Sequence, residues 1–279
     1  MQPQLGIIGT GLIGTSLIDA AIEADAVASV LIFDCVADHE AQVVARYPQV
    51  RKADRPADLI HCDIVFLCTP PGDIAHYALS FAGEKPVVVD VGSVKSAILD
   101  AVRQGGGNPR FVPGHPLSGG TAIGPGGSNA SIITRRPFVL TPCAETDMAA
   151  LAAARAFLER IGATVILIDP MAHDRIMALV SHLPHLLAFS LIGALEGLPV
   201  AERKAALALL PNSFCTITKF ALADAELWSD VFDQNRIALR SSLDELARFA
   251  LELSIQSGDG LQKSLERLRE TRLRLQGEE

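Results

Sequence analysis

The stretch QLGIIGTGLIGTSL, residues 4 to 17, decides the fold. An apolar run leads directly into Gly9, Gly11 and Gly14, which have GxGxxG spacing and open a helical pattern. Glycines in these positions let the backbone turn tightly and approach a pyrophosphate, whose charge is met by the N–H groups at the helix end. The segment predicts a dinucleotide site at the N-terminus, with Leu12 and Ile13 among its residues.

The second strand-like run, VLIF, ends in Asp34. An acidic side chain at this distance from the glycines is expected to bond the adenosine ribose and to repel a 2′-phosphate. The residues that follow, CVADHE, include no arginine or lysine that would attract such a phosphate. We therefore expect NAD as the cofactor, and a glycine-rich turn in an unrelated α/β protein is the alternative.

Strand-like and helical runs alternate as far as Ile168, and from Met171 onward the pattern is helical. Such alternation predicts βαβ units and a mostly parallel sheet. The expected fold class is an α/β N-terminal dinucleotide-binding, Rossmann-like domain, residues 1–168, followed by an all-α domain, residues 169–279. Seven runs are expected to be strands: QLGII, SVLIF, DIVFLC, PVVVD, PRFVP, PFVLT and TVILI.

Composition limits the possible partners. The 279 residues carry a net charge of −8, which argues against binding to nucleic acid or to an anionic membrane. The five scattered cysteines suggest neither a disulfide framework nor a zinc site, and no metal is expected. No targeting segment is visible, and the longest apolar stretch, LLAFSLIGAL, is too short to span a bilayer. These features predict a cytoplasmic protein.

Two motifs follow strands of the predicted sheet, where a parallel sheet places its ligand. In CTPP, Thr69 and Pro70 are expected beside the nicotinamide. In DVGSVK, Ser93 either hydrogen-bonds cofactor or substrate or caps the next helix. Lys95 is either a ligand contact or a solvated helix residue.

The segment GHPLSGG, residues 114 to 120, follows the next predicted strand and carries His115. A histidine on this rim has a pKa suited to accepting a proton from an alcohol while hydride leaves the same carbon. His115 is therefore a candidate general base, with a loop histidine of no catalytic role as the alternative.

Five ordered motifs resemble the prephenate/arogenate dehydrogenase family over nearly the whole chain: GTGLIGTS, the TPP turn, DVGSVK, GHP with RPFVLTP, and HDRIMALVSHLPH at residues 173 to 185. The resemblance implies an NAD-dependent oxidative decarboxylation that aromatises a cyclohexadienol ring acid. It implies that His115 accepts the ring hydroxyl proton and that Ser93 helps hold His115 and the hydroxyl.

The segment HDRIMALVSHLPH also has a helical pattern of its own. Ile176, Leu179 and Val180 begin one apolar stripe, and Ser181, His182 and His185 lie on roughly the opposite side. Further along, that side is apolar again, so we expect a helix buried all round with a polar patch inside it. The resemblance favours substrate binding by the three polar residues, and core histidines bonded to backbone are the alternative.

Departures from the family pattern leave the substrate open. Gly120 and Thr121 stand where the family has Thr-Glu, and Lys219 replaces its carboxylate-binding arginine. Lysine keeps the charge but loses the bidentate fork. Arg236, with Arg240, either compensates or is a solvated helix charge. Prephenate, arogenate and a ring-amino analogue all remain open as the anionic ring substrate, as does an NAD-binding sensor without turnover.

The long apolar helix also bears on assembly. Such a helix more often packs against a second subunit than remains exposed. We expect a homodimer formed through residues 171–279.

Overall fold

A computed structural model describes residues 2–118 and 124–277. Its N-terminal part is built on a six-stranded, wholly parallel sheet with the order β3-β2-β1-β4-β5-β6. The strands of this sheet are β1 (Gln4–Ile8), β2 (Ser29–Phe33), β3 (Val50–Lys52), β4 (Ile64–Leu67), β5 (Val87–Asp90) and β6 (Phe111–Val112). The chain reverses direction across the sheet between β1 and β4, so the glycine loop after β1 lies at the crevice where parallel sheets bind ligands.

A second sheet of three strands has the order β7-β8-β9: β7 (Gly114–Pro116), β8 (Pro137–Leu140) and β9 (Thr164–Leu167). The sequence pattern did not separate these strands from the main sheet. Pro113 has no N–H to continue the ladder of β6, and the next N–H, of Gly114, donates to the Asp90 carboxylate at 2.8 Å. The chain then pairs antiparallel with β8, which makes His115 part of a strand and not of a loop.

The fold class is confirmed, because the described chain after β9 is helical. Five helices flank the sheets: α1 (Leu12–Glu23), α2 (Ala37–Arg46), α3 (Pro71–Ser80), α4 (Ser96–Gln104) and α5 (Met148–Arg160). Seven follow: α6 (Pro170–Met177), α7 (Leu183–Glu196), α8 (Val200–Ala208), α9 (Asn212–Ile217), α10 (Ala225–Gln234), α11 (Arg236–Ser254) and α12 (Gly258–Gly277).

Apolar side chains fill both faces of the six-stranded sheet. Phe66 on β4 packs edge-on against Phe138 and at a tilt against Phe157 on one face. On the other face Phe81 and Ile98 belong to a separate buried cluster. Because both faces are covered, the central strands β4 and β5 are apolar except for Asp90 at the end of β5.

The expected single helix after Met171 is interrupted. A π-helical turn, Ala178–His182, joins α6 to α7. Pro184 lies just beyond it and has no N–H for the carbonyl of Val180, so the chain widens by one residue at this point.

The expectation of a helix buried all round is wrong for the chain alone. Ile176, Leu179 and Val180 are 47%, 54% and 60% exposed. The polar residues on the other side, His173, Asp174 and His182, are buried. The helical run therefore turns these polar side chains inward and the first three residues of its apolar stripe outward, while Leu183, further along the stripe, is buried.

The helical run Pro170–Glu196 has 27 residues, and an 18-residue window in it has a mean hydropathy of 1.7, enough to cross a membrane by length and composition. This differs from the expectation drawn from its shorter uninterrupted apolar segment. Helices that pack against other protein share these properties, and this one carries Asp174, whose carboxylate bonds the backbone of α4.

Candidate active site

The glycine loop after β1 combines tight packing with open space. Gly9 has φ +91°, and a Cβ there would lie 2.5 Å from the carbonyl oxygen of Cys68. A Cβ on Gly14 would lie 2.0 Å from the carbonyl oxygen of Gly9, whereas one on Gly11 would meet nothing within 4 Å. The outer glycines are thus required by the protein's own backbone, and the middle one borders the space that a pyrophosphate needs. Leu12 and Ile13 begin α1 beside this space.

Asp34 lies directly beyond β2 and faces the glycine loop. Its Oδ2 accepts hydrogen bonds from the backbone N–H of Thr10 at 2.5 Å and from the Thr10 hydroxyl at 2.8 Å. Its Oδ1 accepts the N–H of Val36 at 2.8 Å. Burial acts to raise the pKa of Asp34, but these hydrogen bonds outweigh it and the pKa is lowered. Asp34 is therefore a carboxylate at neutral pH, and its predicted contact with the ribose stays a prediction.

Thr69 and Pro70 lie between β4 and α3. The hydroxyl oxygen of Thr69 is buried and has no hydrogen-bond partner in the described part of the chain. Buried hydroxyls are rarely left unpaired, so this one suits a ligand group at the crevice. Its position fits the predicted cofactor contact.

His115 lies in a relay of three side chains. Its Nδ1 is 3.0 Å from Nε2 of His173, and Nδ1 of His173 is 2.9 Å from Oδ1 of Asp174. A carboxylate accepts, so His173 donates from Nδ1 and accepts at Nε2, and His115 donates from its own Nδ1. This order leaves Nε2 of His115 as the basic nitrogen. Burial, His173 and Lys95 together hold the pKa of His115 well below its usual range, so the imidazole is neutral at neutral pH.

Asp174 joins this relay to α4. Its Oδ1 accepts the N–H of Lys95 at 2.9 Å, and its Oδ2 accepts the N–H of Ser96 at 2.7 Å. Burial raises the pKa of Asp174, but the hydrogen bonds from His173, Ser96 and Lys95 prevail and lower it. The first turn of α4 is therefore capped by a carboxylate 78 residues further along the chain.

For Ser93 in DVGSVK, the structure excludes one of the two predicted roles, that of a helix cap, and leaves the ligand contact untested. Ser93 does not cap α4, because the helix begins at Ser96 and Asp174 bonds its first N–H groups. Ser93 lies in the turn between β5 and α4, and its predicted contacts with ligand and with His115 stay predictions. The Nδ1 of His115 donates its hydrogen bond to His173 instead.

Lys95 is neither a solvated residue nor an open ligand contact, because it is fully buried. Its ammonium forms an ion pair with Asp90 and donates to the carbonyl oxygen of Gly114 at 2.6 Å. Asp90 in turn accepts the N–H of Gly114. The backbone immediately before His115 is thus held from two sides.

The predicted substrate residues of the helical part lie close together. His185 stacks on Trp228 with ring centroids 3.5 Å apart, and its Nδ1 donates to the carbonyl oxygen of Ser181 at 2.9 Å. The Nδ1 of His182 accepts from Asn235 at 3.0 Å, which leaves Nε2 as a buried N–H with no partner among the described residues. Burial lowers the pKa of both histidines, that of His182 to about 4. Both rings are therefore neutral donors or acceptors at neutral pH.

The remaining predicted contacts are less defined. Lys219 is exposed, next to Phe220, whose ring lies 4.7 Å from that of His185. Arg236 is exposed and pairs with Asp233 at the start of α11. Gly120 and Thr121 lie outside the described residues. These four assignments stay predictions.

Sequence reasoning missed two residues that hydrogen-bond the histidines of the site. His173 and Asn235 were assigned no role, although both are buried and hydrogen-bonded to site residues. The adjacent pair HD in the motif at residue 173 was the available signal, since a carboxylate beside a histidine can orient another group. Within the described ranges no cluster of three or more metal-ligating side chains is found.

Comparison of the sequence with known proteins shows the family to which this chain belongs. Residues 29–167 match the model for the prephenate dehydrogenase nucleotide-binding domain, and residues 169–270 match that for the prephenate dehydrogenase dimerization domain. The chain is 31% identical to a cyclohexadienyl dehydrogenase of Zymomonas mobilis, over 97% of this chain and 95% of that one.

Two solved structures share the fold. An arogenate dehydrogenase of Synechocystis superposes with a TM-score of 0.80 at 27% identity, over 98% of this chain and 99% of that one. The prephenate dehydrogenase of A. aeolicus, solved with hydroxyphenyl propionate and NAD+, has a TM-score of 0.90 at 24% identity, over 99% and 98% of the two chains.

Proposed function

The chain belongs to the prephenate/arogenate dehydrogenase family, and we propose that His115 is the proton acceptor in its oxidative decarboxylation of a cyclohexadienol ring acid. It is an NAD-dependent oxidoreductase of that family. The observation that carries the assignment of His115 is the relay through His173 to Asp174, which leaves a neutral, basic nitrogen on the rim of the nucleotide crevice.

The residues present fit NAD. The open space at Gly11 accommodates the pyrophosphate, Asp34 faces the ribose, and the unpaired hydroxyl of Thr69 faces the nicotinamide end. NAD, when bound, supplies the acceptor for the hydride that leaves the ring carbon. The carboxylate of Asp34 opposes a 2′-phosphate and so supports the choice of NAD.

His115 acts on the ring hydroxyl. Its Nε2 accepts the hydroxyl proton as the carbon–oxygen bond of the substrate becomes a carbonyl. The imidazolium of His115 that results donates from Nδ1 to Nε2 of His173. Asp174 stabilises this charge through His173. The ring carboxylate then leaves as carbon dioxide, its bonding electrons make the ring aromatic, and the proton on His115 returns to the phenolic oxygen.

The substrate end is formed by the helical part. The unpaired N–H of His182 and the free Nε2 of His185 supply polar contacts, and Trp228 supplies an aromatic face. Ser181 fixes the orientation of His185, and Lys219 offers a positive charge at the outer edge. Prephenate or arogenate is the substrate that we propose, and a ring-amino analogue is the alternative.

We also propose that the protein is a cytoplasmic homodimer that divides into residues 1–168 and 169–279. The match to a dimerization domain supports the dimer, as does the exposed apolar stripe Ile176, Leu179 and Val180. All five cysteines are free, which agrees with a reducing compartment.

The assay for this proposal follows NADH formation with prephenate and, separately, arogenate. Wild-type turnover with one ring acid is expected, and His115→Asn is expected to lower kcat about a thousandfold, in the range for loss of a general base. NADH binding by the variant, followed by fluorescence, is the control for folding. Full turnover by His115→Asn would refute the base assignment. NAD binding without turnover on either acid would favour an analogue substrate or a non-catalytic sensor.

A further inference from the structure

Asn235 is a buried residue that the proposed function leaves without a role. It lies where α10 ends and α11 begins, and its side chain is directed at the helical run that carries the site histidines. Its amide nitrogen is 2.9 Å from the carbonyl oxygen of Asp174 and 3.0 Å from Nδ1 of His182. Only 4% of Asn235 is exposed, and His182 is fully buried. One side chain is thus bonded both to the relay and to the substrate side of the site.

The contact with Asp174 fixes which way the amide of Asn235 points. A carbonyl oxygen only accepts hydrogen bonds, so the amide nitrogen, and not the amide oxygen, faces it. The second N–H of the same nitrogen is directed at His182, whose Nδ1 must therefore accept. Burial lowers the pKa of His182 to about 4, so the ring is neutral and carries a single proton. That proton is on Nε2.

His185, three residues further on, has the opposite tautomer. Its Nδ1 donates to the carbonyl oxygen of Ser181 at 2.9 Å, which leaves a lone pair on Nε2. Because the Nδ1 atoms of the two histidines have different partners, His182 presents a donor and His185 an acceptor. The donor of His182 is buried and has no partner within residues 2–118 and 124–277. Buried N–H groups are rarely left unpaired, so this one suits an acceptor oxygen of a ligand.

We propose that Asn235 is a positioning residue that holds His182 as the Nε2–H tautomer, so that this ring donates a hydrogen bond to an oxygen of the ring acid. This role rests on the proposed function, because that function supplies the ring acid. A carboxylate or hydroxyl oxygen accepts from a neutral N–H, and a neutral donor spares the site the burial of another charge. The bond to Asp174 keeps this donor at a fixed distance from the relay.

The decisive variant is Asn235→Asp, which keeps the shape of the side chain and replaces the donor with an acceptor. His182 is then expected to carry its proton on Nδ1, which turns the Nε2 lone pair toward the substrate oxygen. KM for the ring acid should rise about thirtyfold, while kcat changes less than about threefold and KM for NAD stays the same. The NMR shifts of the imidazole nitrogens, assigned to His182 by comparison with His182→Gln, report the tautomer directly.

Asn108→Asp is the matched control. Asn108 lies between α4 and β6, is also buried, and donates from its amide nitrogen to the carbonyl oxygen of Ala78 at 2.7 Å. The control therefore places the same carboxylate beside a backbone carbonyl, and it is expected to leave the tautomer of His182 and both KM values unchanged.

A second variant, Asn235→Ala, removes the donor without adding a charge, and it serves if Asn235→Asp does not fold. Without a partner on Nδ1, His182 is expected to populate both tautomers, and KM for the ring acid should rise about tenfold.

Four results would count against the proposal. An Nδ1–H tautomer in the wild type, or an unchanged tautomer in both Asn235 variants, would overturn the role of Asn235. A changed tautomer with an unchanged KM would overturn the contact between His182 and the substrate. An equal rise of KM in Asn108→Asp would show that lost stability is the cause.

Failure of the proposed function is distinguishable from failure of this inference. If neither ring acid is turned over, the substrate contact falls with the proposed function, whereas the nitrogen shifts still decide whether Asn235 sets the tautomer. An inverted tautomer with a raised KM in Asn235→Asp, and neither change in Asn108→Asp, supports the assignment.

Discussion

The six-stranded sheet and the helical run Pro170–Glu196 differ in how many polar side chains they bury and in how much apolar surface they leave exposed. Strands β4 and β5 are buried along their length and are almost wholly aliphatic or aromatic. In the helical run, His173, Asp174 and His182 are buried, while Ile176 and Val180 are about half exposed. The central strands of the first region are covered on both faces within one chain, whereas the second buries polar side chains beside Met177 and Leu183 and leaves other apolar side chains exposed.

The two regions therefore place different requirements on the sequence. The sheet needs only apolar residues in the right order, because its backbone groups satisfy one another. The helical run must also bond buried polar groups: Asp174 and His173 have partners on α4 and β7, and Asn235, just before α11, bonds His182 and the carbonyl oxygen of Asp174. We infer that its outward stripe is covered by a second subunit, which would give the helical half the apolar burial that the sheet already has.

The largest expected effect is that of Val180→Asp, which tests whether the exposed apolar residues of the helical run form a subunit interface. If the outward stripe is a subunit interface, a buried unpaired carboxylate is expected to weaken the dimer about a thousandfold, which corresponds to about 4 kcal/mol. Sedimentation equilibrium over a concentration series measures the effect. Val44→Asp, at a partly exposed valine on α2, is the matched control and should leave the association unchanged. An unaltered dimer in Val180→Asp would show that this stripe lies outside the interface.

The second prediction concerns the buried polar side. Asp174→Asn replaces a carboxylate that accepts from two N–H groups of α4 and from His173, and it is expected to lower the free energy of unfolding by about 3 kcal/mol. The acid limb of kcat/KM should also move to lower pH, since the protonated form of His115 loses a stabilising charge.

The control is Asp169→Asn, which alters the exposed cap of α6 and is expected to cost less than about 1 kcal/mol. Urea unfolding and the pH profile are the two measurements. Equal losses of stability in both variants, with an unmoved acid limb, would mean that Asp174 is an ordinary cap.

The smallest expected effect is the contribution of buried His182 to the pH dependence of stability. Burial lowers the pKa of His182 to about 4, so between about pH 6.5 and pH 4 the unfolded chain binds a proton that the folded chain does not. Stability therefore falls with falling pH, and His182 alone should account for about 2 kcal/mol by pH 5. Urea unfolding at pH 7.5, 6 and 5 should show a shallower fall in His182→Asn and an unchanged one in His61→Gln. Identical slopes in all three proteins would refute the assignment.

The nucleotide half was predictable because its signals are local. Gly9 and Gly14 are needed where the sequence places them, and Asp34 follows its strand directly. The strands were recognised by apolar character alone, which does not say which sheet a strand joins. β7, β8 and β9 therefore appeared to extend the main sheet, although Pro113 and the bond from Gly114 to Asp90 begin a second one.

The site was predictable only in part, because its supporting contacts are distant in sequence. The bond between His115 and His173 spans 58 residues, and the cap on α4 spans 78. Lys95 was read as solvated or as a ligand contact because nothing near it in sequence shows that Asp90 and Gly114 enclose it. The ends of the predicted strands indicated which residues lie near the site, but they did not indicate which side chains bond to one another there.

The π turn at Ala178–His182 has a consequence for insertions and deletions in this segment. A π turn contains one more residue than the α-helical turn it replaces, and one residue corresponds to a rotation of about 100° about the helix axis. Deleting Leu179 would remove the extra residue and rotate α7 by that angle relative to α6, while Pro184 would still leave one backbone carbonyl without its helical partner. His182 and His185 would then point in another direction relative to Asp174, so we expect a change in the number of residues here to separate the substrate side of the site from the relay.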